Sequence, residues 1–198
     1  MISTYKIKPA FQKLLMPLLG LLRKCGFTPN LLTILAIVLS LCLGYVFSEA
    51  NTNDSYYLYV SLGLLFRMML NALDGMMARI YNLQSTTGEI LNEVGDIVSD
   101  VAIFYPLLLI EELDFGLAFG FIILSIINEF SGVLAKSISG ERRYDGPMGK
   151  SDRASLIGIL CLLFYFGFEV GPYLNYVFGI AVFMVVLSTL IRLKSAIK

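Results

Sequence analysis

The chain has 198 residues, of which 57% are hydrophobic and only 15% charged, and its mean hydropathy is +0.77. Soluble domains carry about a quarter charged residues, so an ordinary soluble globular protein, a disordered chain and a nucleic-acid-binding module are all excluded. Lys and Arg total 15 and Asp and Glu total 15, so net charge says nothing about partners and the placement of charge says everything.

Residues 5–25 mix Lys6, Lys8, Lys13, Arg23 and Lys24 with Phe11, Leu14, Leu15, Leu18, Leu21 and Leu22. This composition predicts an amphipathic helix lying in the membrane interface, and residues 1–28 form an N-terminal interfacial unit ahead of a transmembrane domain over 29–198. No small-residue cleavage site follows a short apolar core, so a cleaved signal peptide is not expected. Six apolar stretches follow, at 30–49, 57–81, 86–110, 115–138, 152–170 and 172–193. Each is close to the roughly 20 residues that cross a hydrocarbon core. The expected fold class is therefore an all-α integral membrane protein, with six transmembrane helices preceded by the interfacial helix. No internal repeat is visible.

With the N-terminus inside, the inner segments hold the five basic residues above and Arg79, Lys136, Arg142, Arg143, Lys150, Arg153, Arg192, Lys194 and Lys198. The outer loops hold Glu49, Asp54, Glu111, Glu112, Asp114 and Glu169 and no Lys or Arg, while Arg67 falls mid-span. A basic excess marks cytoplasmic loops, so both termini are expected in the cytoplasm, with any site built from the inner loops facing it. Cys25, Cys42 and Cys161 have no paired spacing, which argues against a disulfide framework or zinc site. Histidine is absent, so a general base must come from another residue type, a carboxylate first. Tryptophan is absent too, which leaves interfacial anchoring to tyrosines such as Tyr56, Tyr57, Tyr59, Tyr105 and Tyr173.

The second and third stretches carry charge where hydrocarbon is expected: Arg67, Asp74 and Arg79 in one, Glu89, Glu93, Asp96 and Asp100 in the other. A charge at the bilayer centre costs about 2.5–3.5 kcal/mol on insertion scales, so these groups must face the protein interior or a wet cavity. Asn71 and Asp74 share one helix face; Glu89, Asn92, Glu93, Asp96 and Asp100 share another. Counted from the inner turn at Tyr81–Ser85, Asp74 and Asp96 lie at similar depth, and Glu129 reaches a similar level. Two acidic faces meeting near the cytoplasmic surface make an oxygen-rich cage of the kind Mg²⁺ or Mn²⁺ prefers. Gly75, Ala78 and Gly88 leave space beside it. Arg67 and Asp100 are at matching depth and are expected to pair, and Thr86 with Glu89 reads as a capping box opening the third span. The longest inner loop, Ser137–Ser151, is rich in charge, Gly and Pro and is expected to touch ligands.

The run NALDGMMARIYNLQSTTGEILNEVGD, Asn71 to Asp96, resembles the DxxDGxxARx8GxxxDxxxD signature of the CDP-alcohol phosphotransferase (CDP-alcohol phosphatidyltransferase) family. TPNLLT, Thr28 to Thr33, resembles the family's TPNxxT element. The first and third aspartates of the signature are Asn71 and Asn92 here. The resemblance implies transfer of a phosphoryl-containing group from a CDP-linked lipid donor, CDP-diacylglycerol in the usual case, to a polar alcohol acceptor with release of CMP, in phospholipid biosynthesis. It implies Mg²⁺ or Mn²⁺, one or two ions, at Asn71, Asp74, Asn92 and Asp96, with Asp96 as the catalytic base. It implies a nucleotide site at Pro29, Asn30, Thr33, Asp74, Gly75, Ala78, Arg79 and Gly88, and a homodimer. Lys150 and Arg153 are expected to bind an anionic group of the acceptor. Two other classes stay open: an inactive relative that binds CDP-lipid without chemistry, and a cation-coupled transporter.

Overall fold

The computed structural model describes residues 8–197, and side chains from Phe11 onward. Tyr5, Lys6, Lys198 and the side chain of Lys8, which entered the expectations above, lie outside that description. The described residues form seven α-helices: α1 (Lys8–Lys24), α2 (Pro29–Ser48), α3 (Ser55–Ile80), α4 (Thr86–Phe104), α5 (Phe115–Ser139), α6 (Lys150–Tyr165) and α7 (Gly171–Ala196). Among the described residues there is no strand.

Local chemistry sets the helix ends. Thr28 caps α2: its Oγ1 accepts from Leu31 N at 3.2 Å, and Pro29 at the first helical position supplies the helical φ without wasting an N–H. Ser85, not Thr86, caps α4, with its Oγ accepting from Gly88 N at 3.1 Å. The expected Thr86–Glu89 box is therefore corrected by one residue, and Glu89 reaches out to Lys136 instead. α4 stops at Phe104, short of the expected Ile110, because Pro106 brings no N–H and the chain tightens into a 3-10 turn over Tyr105–Leu109. α5 ends at Gly140, whose φ of 78° is left-handed and whose N–H reaches Lys136 O at 2.9 Å. α6 starts at Lys150 and has 16 residues, because Asp152 Oδ2 accepts from Gly149 N at 3.0 Å and fixes the start.

Among the described residues, four helices are long and apolar enough to cross a membrane: Pro29–Ser48, Ser55–Ile80, Phe115–Ser139 and Gly171–Ala196. The chain is a multi-pass membrane protein. α4 and α6, expected as the third and fifth spans, do not meet that measure: α4 carries four acids, and α6 is only about 24 Å long.

α2 packs on α3 and α4, α5 packs on α7 and α4, α3 packs on α6, and α1 lies against α3. Close approach of α2 to α4 needs glycine. A Cβ on Gly44 would fall 2.2 Å from Ala102 O, and one on Gly95 would fall 2.5 Å from Ile37 Cδ1. Small residues letting backbones approach is the usual device of membrane helix packing. One apolar core joins Phe47, Phe104, Phe121 and Phe178. A second joins Leu15 and Leu19 of α1 to Leu32, Leu73 and Met77. Between them lies a layer of buried charge.

Because the Gly44 contact is with backbone, it cannot be relieved by a rotamer change. Gly44→Ala is expected to cost about 1–3 kcal/mol by overpacking. Gly120→Ala, where nothing lies within 4 Å, should unfold at or above the wild-type midpoint. Thermal melts in detergent compare the two.

Candidate active site

The starts of α2, α4 and α6 and the last third of α3 meet at one end of the bundle. Asp74 is 5% and Asp96 8% exposed. Thr33 Oγ1 donates to Asp74 Oδ2 at 2.9 Å. That bond joins the TPNLLT element to the acidic helix, and Thr33 sits there because the Thr28 cap starts α2 five residues earlier. Asn30 approaches the first turn of α4 so closely that a Cβ on Gly88 would meet its Oδ1 at 2.6 Å. Gly88 therefore makes room for Asn30 before it makes room for any ligand. Lys150, the first residue of α6, forms an ion pair with Asp96. Asp74 and Asp96 act on one another electrostatically, and Lys150 acts on both. The two acids expected to cooperate lie within electrostatic reach of one another and of the partly exposed Lys150, and this end of the bundle is the candidate recess. Asn71 and Asn92 are half-buried on the same helices.

Deeper in lies the charged layer. Arg67 Nη2 meets Asp100 Oδ1 at 2.8 Å, the pairing expected from depth alone. Arg153 Nη2 meets Asp100 Oδ2 at 2.9 Å and Glu129 Oε1 at 2.7 Å. Arg142 Nη2 reaches Glu129 Oε2 at 2.9 Å and Glu93 Oε2 at 2.8 Å. Arg192 Nη1 donates to Asn128 O at 2.7 Å, and Asn128 Nδ2 donates to Thr189 Oγ1 at 3.0 Å, tying α5 to α7. Arg142 comes from the loop outside the spans. Burial works against its charge, but Tyr144, Glu93, Glu129 and Asp96 outweigh it and hold its pKa above the ordinary arginine value.

Arg153 is 0% exposed, with its Nη2 held by two carboxylates and its Nη1 on Met148 O and Asn128 Oδ1. Both Nη groups are thus taken up inside the protein, and only the buried Nε is without a hydrogen-bond partner, which leaves little of this side chain for the acceptor anion expected of it. Lys150, by contrast, remains at the recess. Arg79 is exposed on the last turn of α3, with its Nη1 3.3 Å from where a Gly75 Cβ would sit. It lines a groove of about 310 Å³ between α1 and α3 with Lys13 and Met76. Pro29 and Ala78 are half-buried near the same helix ends.

The profile of the CDP-alcohol phosphatidyltransferase family matches residues 27–191. The chain belongs to that family. It is 43% identical over 157 residues to the inner membrane protein YnbA of Escherichia coli (strain K12), covering 79% of this chain and 78% of the relative. Its fold is that of the phosphatidylinositol phosphate synthase PgsA1 of Mycobacterium tuberculosis. The structure of PgsA1 with manganese and citrate superposes with a TM-score of 0.75 at 21% identity, covering 91% of this chain and 87% of that one. The structure with CDP-DAG bound gives 0.72 at 21% identity, covering 91% and 92%. The family is one of CDP-alcohol phosphatidyltransferases, and the solved neighbours add the fold.

Within this family the donor set here is lean. Among the described residues no group of three or more His, Cys, Asp and Glu comes together as a metal site. What remains is two carboxylates, Asp74 and Asp96, with the amide oxygens of Asn71 and Asn92 on the same faces. These are hard oxygen donors suited to Mg²⁺ or Mn²⁺, and the Lys150 ammonium shows that the recess already holds a cation against Asp96. The residues fit a divalent ion.

Sequence reasoning missed Arg142, Asn128 and Arg192 as members of the buried layer. The signal was present: Asn128 and Glu129 are polar residues in the middle of an apolar stretch, and such residues ask for partners on other helices.

Arg153→Met takes one of two cationic partners from both Asp100 and Glu129, leaves the layer one negative charge in excess, and is expected to destabilise by about 3–5 kcal/mol, as removing one side of a buried ion pair does. Arg153→Met combined with Glu129→Leu should recover much of that loss. Chemical denaturation of both variants in detergent measures it.

Proposed function

We propose that this chain transfers a phosphatidyl group from a CDP-linked lipid, CDP-diacylglycerol in chemical class, to the hydroxyl of a polar alcohol, releasing CMP. The observation that carries this reading is the placement of the family signature's Asp74 and Asp96 at one end of the bundle, with Thr33 of α2 bonded to Asp74 and Lys150 paired with Asp96. The CDP-DAG-bound PgsA1 of the same fold supports the choice of donor.

The recess opens where both partners can reach it. The basic residues gather at the ends of α1, α3, α5, α6 and α7 that surround it, which supports six crossings, cytoplasmic termini and a cytoplasmic active site. An apolar groove of about 190 Å³ runs between α3 and α6, lined by Leu64, Leu65, Met68, Gly158 and Ile159. Its inner end, at Met68 and Ala154, adjoins the residues of the charged layer, Arg67 and Arg153. Such a groove suits an acyl chain entering sideways from lipid while CMP and a polar acceptor exchange with water.

Asn71, Asp74, Asn92 and Asp96 would hold the divalent ion, which when bound neutralises the diphosphate and the leaving phosphate. Arg79, on the last turn of α3, reaches the phosphates. Pro29, Asn30, Ala78 and Gly88, around the α2–α4 approach, bound the space for the cytidine. Asp96 takes the proton from the acceptor hydroxyl. The acceptor oxygen forms its bond to the phosphatidyl phosphorus as the bond to the bridging oxygen breaks, and that oxygen leaves on CMP. A homodimer is the expected assembly.

The test is CMP release by the purified full chain with Mg²⁺ or Mn²⁺, CDP-diacylglycerol and a panel of alcohols. Wild type should release CMP with at least one acceptor. Asp96→Asn should lose about 10²–10⁴-fold, the range of a general base. Binding of the CDP-lipid without CMP release from any acceptor would make the chain an inactive relative, a reading favoured by Asn71 and Asn92; flux of substrate without chemistry would make it a transporter.

A further inference from the structure

Lys150 stands apart from the other cations around the recess. Arg67, Arg142 and Arg153 are each committed to carboxylates of the buried layer. Lys150 instead pairs with Asp96, and its charge also acts on Asp74, Glu93 and Asp100. Its side chain is 23% exposed, so a ligand entering the recess meets it. Its backbone is held: Gly149 N is bound by Asp152 Oδ2 at 3.0 Å, and Arg153, one turn on, is locked inside the bundle.

Charge decides what else the recess accepts. Arg67, Arg142 and Arg153 balance the three acids they pair with, Asp100, Glu93 and Glu129. Asp74, Asp96 and Lys150 then leave one net negative charge. One divalent ion turns that into a single positive charge, which an incoming diphosphate, carrying two negative charges, meets and reverses. A second divalent ion would raise the ligand-free recess to three positive charges. It would find only the neutral oxygens of Asn71 and Asn92 to receive it, in surroundings where charge is weakly screened.

We propose that the ammonium of Lys150 takes the place of a second divalent ion: the site holds one ion per chain, and Lys150 supplies the other positive charge to the donor's diphosphate. The second half rests on the transfer reading above; the ion count does not. In the absence of donor Lys150 occupies Asp96. A bound diphosphate competes for the ammonium and frees Asp96 for the acceptor hydroxyl, so the base is exposed only when the donor is loaded.

The experiment is Mn²⁺ titration of the detergent-purified full chain, reading free Mn²⁺ by electron paramagnetic resonance, with and without CDP as probe. One Mn²⁺ per chain in both conditions is expected. Asn71→Asp with Asn92→Asp and Lys150→Met should take up a second. Two ions in wild type, or none in either condition, would overturn the proposal. At fixed Mn²⁺, CDP affinity should fall about tenfold or more in Lys150→Met, the loss of a charge-assisted bond, and stay within about threefold of wild type in Lys150→Arg, which keeps the charge. Unchanged CDP affinity in Lys150→Met would remove the lysine from the site. None of these readings uses turnover, so a chain that binds one ion and CDP through Lys150 yet releases no CMP would sink the transfer reading and leave this one standing.

Discussion

A charge inside hydrocarbon must be answered by another, and the alternating series Arg67, Asp100, Arg153, Glu129, Arg142 and Glu93 answers six at once. The series crosses α3, α4, α6 and α5 and returns through the inner loop to α4. Leaving any member unpaired in a low-dielectric interior costs several kcal/mol, so the pairing fixes which faces of these helices meet. The consequence for the site follows from helical geometry. Asp96 lies one turn before Asp100, and Asp74 lies two turns after Arg67, so each shares a face with its partner in the layer. Pairing Asp100 with Arg67 therefore also sets the direction in which Asp96 and Asp74 leave their helices. The layer holds the chemistry in place without touching it.

Helix ends supply the other half of the alignment. The Thr28 cap and Pro29 start α2 where Thr33 can reach Asp74. The Ser85 cap starts α4 where Gly88 admits Asn30. The Gly149–Asp152 contact starts α6 so that two basic residues three apart part company: Lys150 stays at the recess and Arg153 goes into the layer. Three short caps thus decide side-chain positions that apolar packing alone would leave free to slide by a residue.

Much of this was legible in the sequence. Membrane class followed from composition, the pairing of Arg67 with Asp100 from depth counted out of a short turn, and the family from the spacing around DGMMAR. What escaped was partner choice and exact ends. Arg153 looked like one more inner-loop cation because its sequence neighbours are polar, while its partners, Asp100 and Glu129, lie 53 and 24 residues away. Ser85, Thr86 and Thr87 offer three adjacent cap candidates, and Ser85 is the one whose Oγ accepts from the helix. Pro106 did mark the end of α4, but a stretch scored by hydropathy runs through it, because proline breaks hydrogen bonding without being charged.

The two helices that fall short of a span by length and apolarity are the ones that carry Asp96 and Lys150, and their outer faces explain how they can still lie in lipid. On α4 the exposed large side chains are Ile90, Val94, Val98 and Val101, an unbroken apolar stripe at steps of three and four. Glu93, Asp96 and Asp100 point the other way, into partners. Averaging over the whole circumference cancels the two faces and hides the stripe. What lipid meets is set by the stripe alone, and that supports a crossing by α4. A helix so divided carries acids at membrane depth because the protein around it, rather than the hydrocarbon, is their solvent; the same division opens its polar face to a charged ligand where the layer ends.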